Sequence, residues 1–240
     1  MESSDLSIHS VAEHELGEFA YVVAHDLGAV FRQLKGVVDL IVRDVEPTNL
    51  ERHRILLDHL EAASKGGQGM ISALGHYASA QRRDLAAQAC VGEDLVRDAL
   101  RELRSTFGNA GAEVIVNPLG PIIVDRSLMI EAIKHLLHNA LKFRRPDVAP
   151  AIEISLQPDE RDWVARIVDN GIGLDASQHD AAFQMFYRRR PGDENAGVGA
   201  GLTIARRIFR RHGGDLRFIS AIEGACIEMR LPQRANGKGA

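Results

Sequence analysis

The sequence predicts an α part followed by an α/β part: a helical hairpin that dimerises as a four-helix bundle, then a sheet covered by helices on one face. Three observations predict this. Apolar residues recur in heptad steps along the N-terminal third, the apolar period then shortens to strand-like alternation, and glycine-rich turns punctuate the later elements.

The heptad steps run through Leu16, Ala20, Val23, Leu27, Val30, Leu34, Val37 and Ile41, alternating four and three as one seam of a coiled helix. They stop at Glu46-Pro47-Thr48-Asn49, where proline cannot continue a helix and Thr48 or Asn49 can cap the next. A second seam follows through Leu56, Leu60, Ala63, Gly67, Met70, Leu74 and Tyr77. One hairpin with a single apolar stripe buries too little to stand alone, so the pattern predicts a homodimer. Gly66, Gly67, Gly69 and Gly75 fall inside the second helix. Each costs up to about 1 kcal/mol relative to alanine, which predicts a bent or loosened helix.

Beyond the polar stretch from Gln81 to Gln88, VGEDLVRDALRELRSTFGNAG reads as one helix and AEVIV as a strand. PIIVDRSLMIEAIKHLLHNALKF reads as a strand running into a long helix, and AIEISLQP and DWVARIVD as strands. A glycine-rich loop, a polar segment, the helix TIARRIFRRHG and the strands LRFISA and ACIEMRLP complete the part. The expected boundaries are 1–86 for the hairpin domain, 87–235 for the α/β domain and 236–240 for a tail.

Composition narrows the function. A formal charge of −4 gives no general attraction for nucleic acid. No run approaches the roughly 20 apolar residues of a membrane helix, and the start MESSDLSIHS has neither the basic nor the apolar region of a signal peptide. A cytoplasmic protein without membrane insertion is expected. Cys90 and Cys226 lack any metal-ligand or paired spacing and read as small apolar fillers in a reducing compartment.

Four groups of residues carry chemistry. His25 falls at heptad position f, opposite the seam, with Asp26 beside it. A carboxylate there can orient the imidazole or take its proton while the other ring nitrogen attacks phosphorus, although a lone helical histidine is by itself ordinary surface. Asn139 and Lys142 lie three apart near a helix end, where an amide oxygen suits Mg²⁺ and an ammonium suits phosphate. A plain polar helix end has the same appearance. Asp169 opens the turn Asp169-Asn170-Gly171-Ile172-Gly173 at a strand end, placed to accept from an exocyclic amine or simply to form a hairpin turn. Gly197, Gly199 and Gly201 precede a helix starting near Leu202, and backbone N–H groups at such a helix start suit phosphate oxygens.

In order and spacing these segments resemble the transmitter core of two-component sensor histidine kinases, of the phytochrome-like branch. FAYVVAHDL resembles the H box, HNALKF the N box, DNGIG the first glycine box, FQMFYR the F box and GVGAGLTIARRIFRRHGG the second glycine box. The resemblance spans about residues 12–232. It implies a dimerisation and histidine-phosphotransfer hairpin followed by a Bergerat-type α/β-sandwich ATP-binding domain with a lid. On that resemblance His25 is the phosphoacceptor and Asp26 its general base. Asn139 holds Mg²⁺, with His135 one turn before it, where a neutral imidazole can still ligate the ion and a charged one would repel it; Lys142 contacts phosphate, Asp169 reads adenine, and Gly171 and Gly173 shape the pocket. Gly197, Gly199, Gly201 and Leu202 frame the triphosphate end, and Arg188 approaches either the phosphates or the hairpin.

The chain departs from the family at three positions. Val30 stands where the family has proline, which predicts a straighter first helix. Ala29 replaces a residue that orients water for dephosphorylating the partner, which predicts weak phosphatase activity. His135 replaces a second asparagine one turn before Asn139, which predicts activity that declines on acidification. The expected function is autophosphorylation of His25 from ATP and transfer to an aspartate of a response-regulator receiver domain. The expected input is a separate sensor or upstream partner, unless the sequence is a piece of a longer chain. The rival reading is a dimeric histidine-phosphotransfer or scaffold protein whose ATP-binding-like domain is not catalytic.

Overall fold

The computed structural model describes residues 31–32, 34–39, 47–82, 84–189 and 198–233. Two compact units emerge: residues 1–83 with 190–199, and residues 84–189 with 200–240. His25, Asp26, Ala29, Val30, Gly197 and the tail 236–240 lie outside the described residues, as does the heptad seam before residue 31.

In the first unit, α1 (Pro47–Arg82) runs for 36 residues, and residues 31–32 and 34–39 are also helical. Pro47 is the first residue of α1. A proline loses nothing there because the first-turn N–H groups have no intrahelical acceptor. Thr48 and Asn49 therefore lie inside the first turn and not at the cap. The four glycines do not interrupt α1. At Gly67 the Phe31 ring occupies the space a Cβ would take, and Gln68 Nε2 donates to the Phe31 carbonyl at 3.4 Å. Gly67 thus trades helix propensity for close packing. Of the seam residues, Leu34, Val37, Leu60 and Met70 are exposed in the single chain.

In the second unit, β1 (Ala87–Val91) pairs antiparallel with β3 (Pro121–Asp125). A five-stranded sheet has the order β2-β4-β5-β7-β6, built from β2 (Glu113–Val116), β4 (Ala151–Gln157), β5 (Asp162–Asp169), β6 (Asp215–Ile219) and β7 (Cys226–Pro232). Only β2 and β4 run parallel within it. The single helix expected over 91–111 is two, α2 (Gly92–Glu102) and α3 (Arg104–Ala110), which meet at Leu103, outside helical geometry at φ −95 and ψ 9. Strand β1 carries no alternating signal in sequence. It is largely exposed and forms by pairing with β3.

Two long helices, α4 (Arg126–Lys142) and α5 (Gly201–Arg211), pack against each other, and their Met129, Ile133 and Phe209 meet Ile154, Ile167 and Met229 of the larger sheet. Leu136, Leu137 and Leu141 from α4 and Ile204, Ile208 and Phe209 from α5 are almost wholly buried. The opposed pairs Leu216–Met229 and Phe218–Ile227 continue this core. The alternate positions point the other way by the two-residue period of a strand. There Glu228, only 3% exposed, is held between Arg166 at 3.0 Å and Arg217.

The start of α4 and the end of α5 are locked to each other. Asp125 caps α4 by accepting from Ser127 N and Leu128 N, while its own N–H donates to His212 Nε2 at 2.9 Å. The other ring nitrogen faces the Ile208 carbonyl at 2.8 Å. An accepting Nε2 assigns the proton to Nδ1, so this buried imidazole is neutral. Among the described residues, no helix is long and apolar enough to cross a membrane.

Candidate functional site

The site grows from two ends of the second unit that the chain brings together. The first is the exposed side of α4. Glu131, His135 and Asn139 recur every four residues and so share a face, with Lys142 in the last turn. Lys142 Nζ lies 5.0 Å from the Phe143 ring centroid. The neighbouring His138 imidazole is pushed down by partial burial and, further, by the Lys142 ammonium.

The second end is the close of β5. Asp169 Oδ1 accepts from Gly171 N at 2.9 Å and from Ala225 N at 3.2 Å. This clamp fixes the carboxylate plane and leaves Oδ2 without a hydrogen-bond donor among the described residues. Burial pushes the Asp169 carboxyl above the usual carboxylate range, and the two N–H groups offset that only in part. A partly buried acceptor oxygen without a donor suits a ligand amine.

The turn is shaped by glycine because backbone surrounds it. A Cβ on Gly171 would lie 2.5 Å from the Phe143 carbonyl oxygen, and Ile172 N donates to that same oxygen at 2.9 Å. Gly173 has φ 66, and a Cβ there would lie 2.8 Å from the Gly224 carbonyl. The Asp169 turn is therefore seated on the C-cap of α4, one residue beyond Lys142. Beside it a cleft of about 160 Å³ is lined by Leu174, His179, Phe218, Ala225 and Cys226, among others.

The start of α5 meets the α4 face at His135. A Cβ on Gly201 would lie 3.2 Å from His135 Nδ1, and the N-cap Ala200 offers no side-chain cap to the first N–H groups. Those groups carry the positive end of the helix dipole and suit an anion. Leu202 follows in the first turn of α5.

Of the expected site residues, His135, Asn139, Lys142, Asp169, Gly171, Gly173, Arg188, Gly201 and Leu202 belong to this unit. Gly199 belongs to the other, with φ 75. Four further groups support the site, of which Phe183 lies in the FQMFYR segment and Phe143 in the HNALKF segment. The Gly224-Ala225 corner supplies the second N–H of the Asp169 clamp, and Phe143 supplies the carbonyl under the turn. Arg189 donates to the Gly173 carbonyl at 3.0 Å. Phe183 is buried beneath Arg206, whose guanidinium lies 4.6 Å from the ring centroid, and its carbonyl accepts from Thr203 Oγ1 at 2.8 Å. Phe186 is exposed at φ 65, a conformation costly for a side-chain-bearing residue.

A clamped acidic residue at a strand end, a polar helix face and an uncapped helix start around one turn define an ATP-binding α/β domain. Residues 124–235 match the family described as histidine kinase-, DNA gyrase B- and HSP90-like ATPase, which implies ATP binding. The chain is 30% identical over 93% of its length to Cyanobacterial phytochrome A of Nostoc sp. (strain PCC 7120 / SAG 25.82 / UTEX 2576), of which it covers 30%. It is 30% identical over 91% of its length to the Methanogenesis regulatory histidine kinase FilI of Methanothrix harundinacea (strain 6Ac), of which it covers 25%. The solved mycobacterial sensor histidine kinase MprB matches 61% of this chain and 97% of its own, at 26% identity and a TM-score of 0.52. The chain carries this ATPase domain at residues 124–235 and over most of its length is similar to the transmitter core of histidine kinases. It spans less than a third of the length of these two curated relatives.

Proposed function

We propose that this chain is an ATP-dependent protein-histidine kinase that phosphorylates its own His25 and passes the phosphoryl group to an aspartate of a response-regulator receiver domain. The observation that carries the reading is the Asp169 clamp, seated directly on the end of the α4 face that bears His135, Asn139 and Lys142. Asp169 Oδ2 accepts the adenine amine, and Asn139 and His135 face the cation on the phosphates. Lys142 and the start of α5 at Gly201 and Leu202, with Gly197 and Gly199 before it, offset phosphate charge. A nitrogen of His25 forms a bond to the γ-phosphorus as the bond to the β–γ bridging oxygen breaks and ADP leaves. Asp26 takes the proton from the other ring nitrogen. The receiver carboxylate then attacks the phosphorus and the N–P bond breaks.

The exposed seam residues Leu34, Val37, Leu60 and Met70 support a homodimer through residues 1–86, with the ATP-binding domain at 87–235. The setting is cytoplasmic, with the signal delivered by a sensor segment or partner. The test is incubation with γ-labelled ATP and Mg²⁺, then with receiver domains. An acid-labile label that is absent in Asn139→Ala and chases to a receiver is the expected result. A folded dimer that binds no nucleotide, yet accepts phosphate from a phosphorylated receiver, would favour the phosphotransfer reading instead.

A further inference from the structure

The turn that carries Asp169 is gripped from the side by the segment that leaves α4. Asn170 Oδ1 accepts from Ala151 N at 2.9 Å, its Nδ2 donates to the Ala149 carbonyl at 2.9 Å, and its own N–H donates to the Ala151 carbonyl at 3.2 Å. Further along, Ile172 N donates to the Phe143 carbonyl. Segment 143–151 therefore holds the turn on both sides of Gly171. The same segment reaches toward the second donor of the Asp169 clamp, since Arg145 pairs with Glu223 at 2.5 Å, two residues before Ala225. Both side chains of that ion pair are exposed, so it contributes little. The three bonds of Asn170 are the principal anchor.

We propose that Asn170 is a positioning residue for base recognition, acting through Asp169. This rests on the ATP-site reading above. Gly171 N reaches Asp169 Oδ1 because the peptide between Asn170 and Gly171 is turned toward the carboxylate. The bonds of Asn170 hold that peptide, and a carboxylate plane fixed at Oδ1 fixes Oδ2 where the adenine amine arrives. The side chain has to accept from Ala151 N and donate to the Ala149 carbonyl at once. An amide does both, and an ionised carboxylate of the same size can only accept. In Asn170→Asp an oxygen therefore faces the Ala149 carbonyl, the turn parts from segment 143–151, and Gly171 N loses its direction. Weakening one hydrogen bond of ordinary strength corresponds to about 2- to 13-fold in binding.

The test measures binding of a non-hydrolysable ATP analogue, and of its counterpart lacking the 6-amine, to the full chain with Mg²⁺ at a temperature below every melt. The wild type is expected to prefer the nucleotide that carries the amine. Asn170→Asp and Asn170→Ala should each reduce that preference by about 2- to 13-fold, while affinity for the counterpart stays as in the wild type. In an Asp169→Asn background, Asn170→Asp should change the preference no further, because the residue acts through Asp169. An unchanged preference in both Asn170 variants overturns the inference, as does an equal loss of affinity for the two nucleotides, which marks a merely structural role. Either result leaves the ATP site standing. Absence of binding of both nucleotides by the folded wild type overturns the ATP-site reading and this inference with it.

Discussion

Replacing Asp169 by asparagine separates the structural oxygen from the recognition oxygen. Oδ1 accepts from Gly171 N and Ala225 N, and an asparagine carbonyl can accept both. The structural bonds then survive while Oδ2 becomes an NH₂. The folded carboxyl is held above its ordinary range by burial, so its ionised form costs stability once the pH rises past the unfolded value of about 3.9. Asp169→Asn is therefore expected to melt at or slightly above the wild-type temperature at neutral pH. Asp169→Ala loses both bonds and is expected to lose about 2–4 kcal/mol, at roughly 1–2 kcal/mol for each N–H left unpaired.

Nucleotide recognition should respond in the opposite sense. A hydrogen bond to a charged acceptor is worth about 1.5–3 kcal/mol, so Asp169→Asn should weaken ATP binding by about 10- to 150-fold. Inosine triphosphate, with a carbonyl in place of the amine, should bind the wild type weakly and recover in Asp169→Asn, whose NH₂ can donate to it. Melting curves and fluorescence titration with both nucleotides read each arm. The reasoning fails if Asp169→Asn binds ATP like the wild type, or if it unfolds as readily as Asp169→Ala.

Three further outcomes are expected. Gly171→Ala places a Cβ 2.5 Å from the Phe143 carbonyl oxygen and should cost about 1–3 kcal/mol by overpacking together with most nucleotide affinity, read by calorimetry and titration. Although burial opposes it, hydrogen bonds from Arg166 and Arg217 hold the Glu228 carboxyl below its ordinary range. Its stabilisation is therefore present above the unfolded value of about 4.3 and fades as pH falls through the lower folded value, a loss that Glu228→Gln should reduce in melts at successive pH values. His212→Phe leaves Asp125 N and the Ile208 carbonyl without their ring partner and should cost about 1–3 kcal/mol in a denaturant titration, without moving the Asp169 clamp.

Periodic and chemically constrained segments could be read directly from sequence. The runs AIEISLQ and DWVARIVD became β4 and β5, and TIARRIFRR lies within α5. What escaped is set by tertiary context. Strand β1 exists because β3 offers it a partner, not because its residues alternate. The helix over 91–111 divides at Leu103, although no proline or glycine marks the break. Gly67 is written in sequence as a weak helix residue, and its reason is a phenylalanine 36 positions earlier. In the site, the motifs supplied the residues that face outward. The supporting groups, Ala225 N and the Phe143 carbonyl, are backbone atoms that any side chain could accompany.

Where the phosphoryl group lands tests the account most directly. After incubation with ATP and the divalent cation under neutral or alkaline conditions, the protein is digested and its phosphopeptides are mapped by mass spectrometry. The account predicts one acid-labile phosphohistidine, at His25, lost in His25→Ala and in Asp169→Ala alike. An acid-stable phosphoserine or phosphothreonine, or a phosphohistidine that persists in His25→Ala, would contradict it.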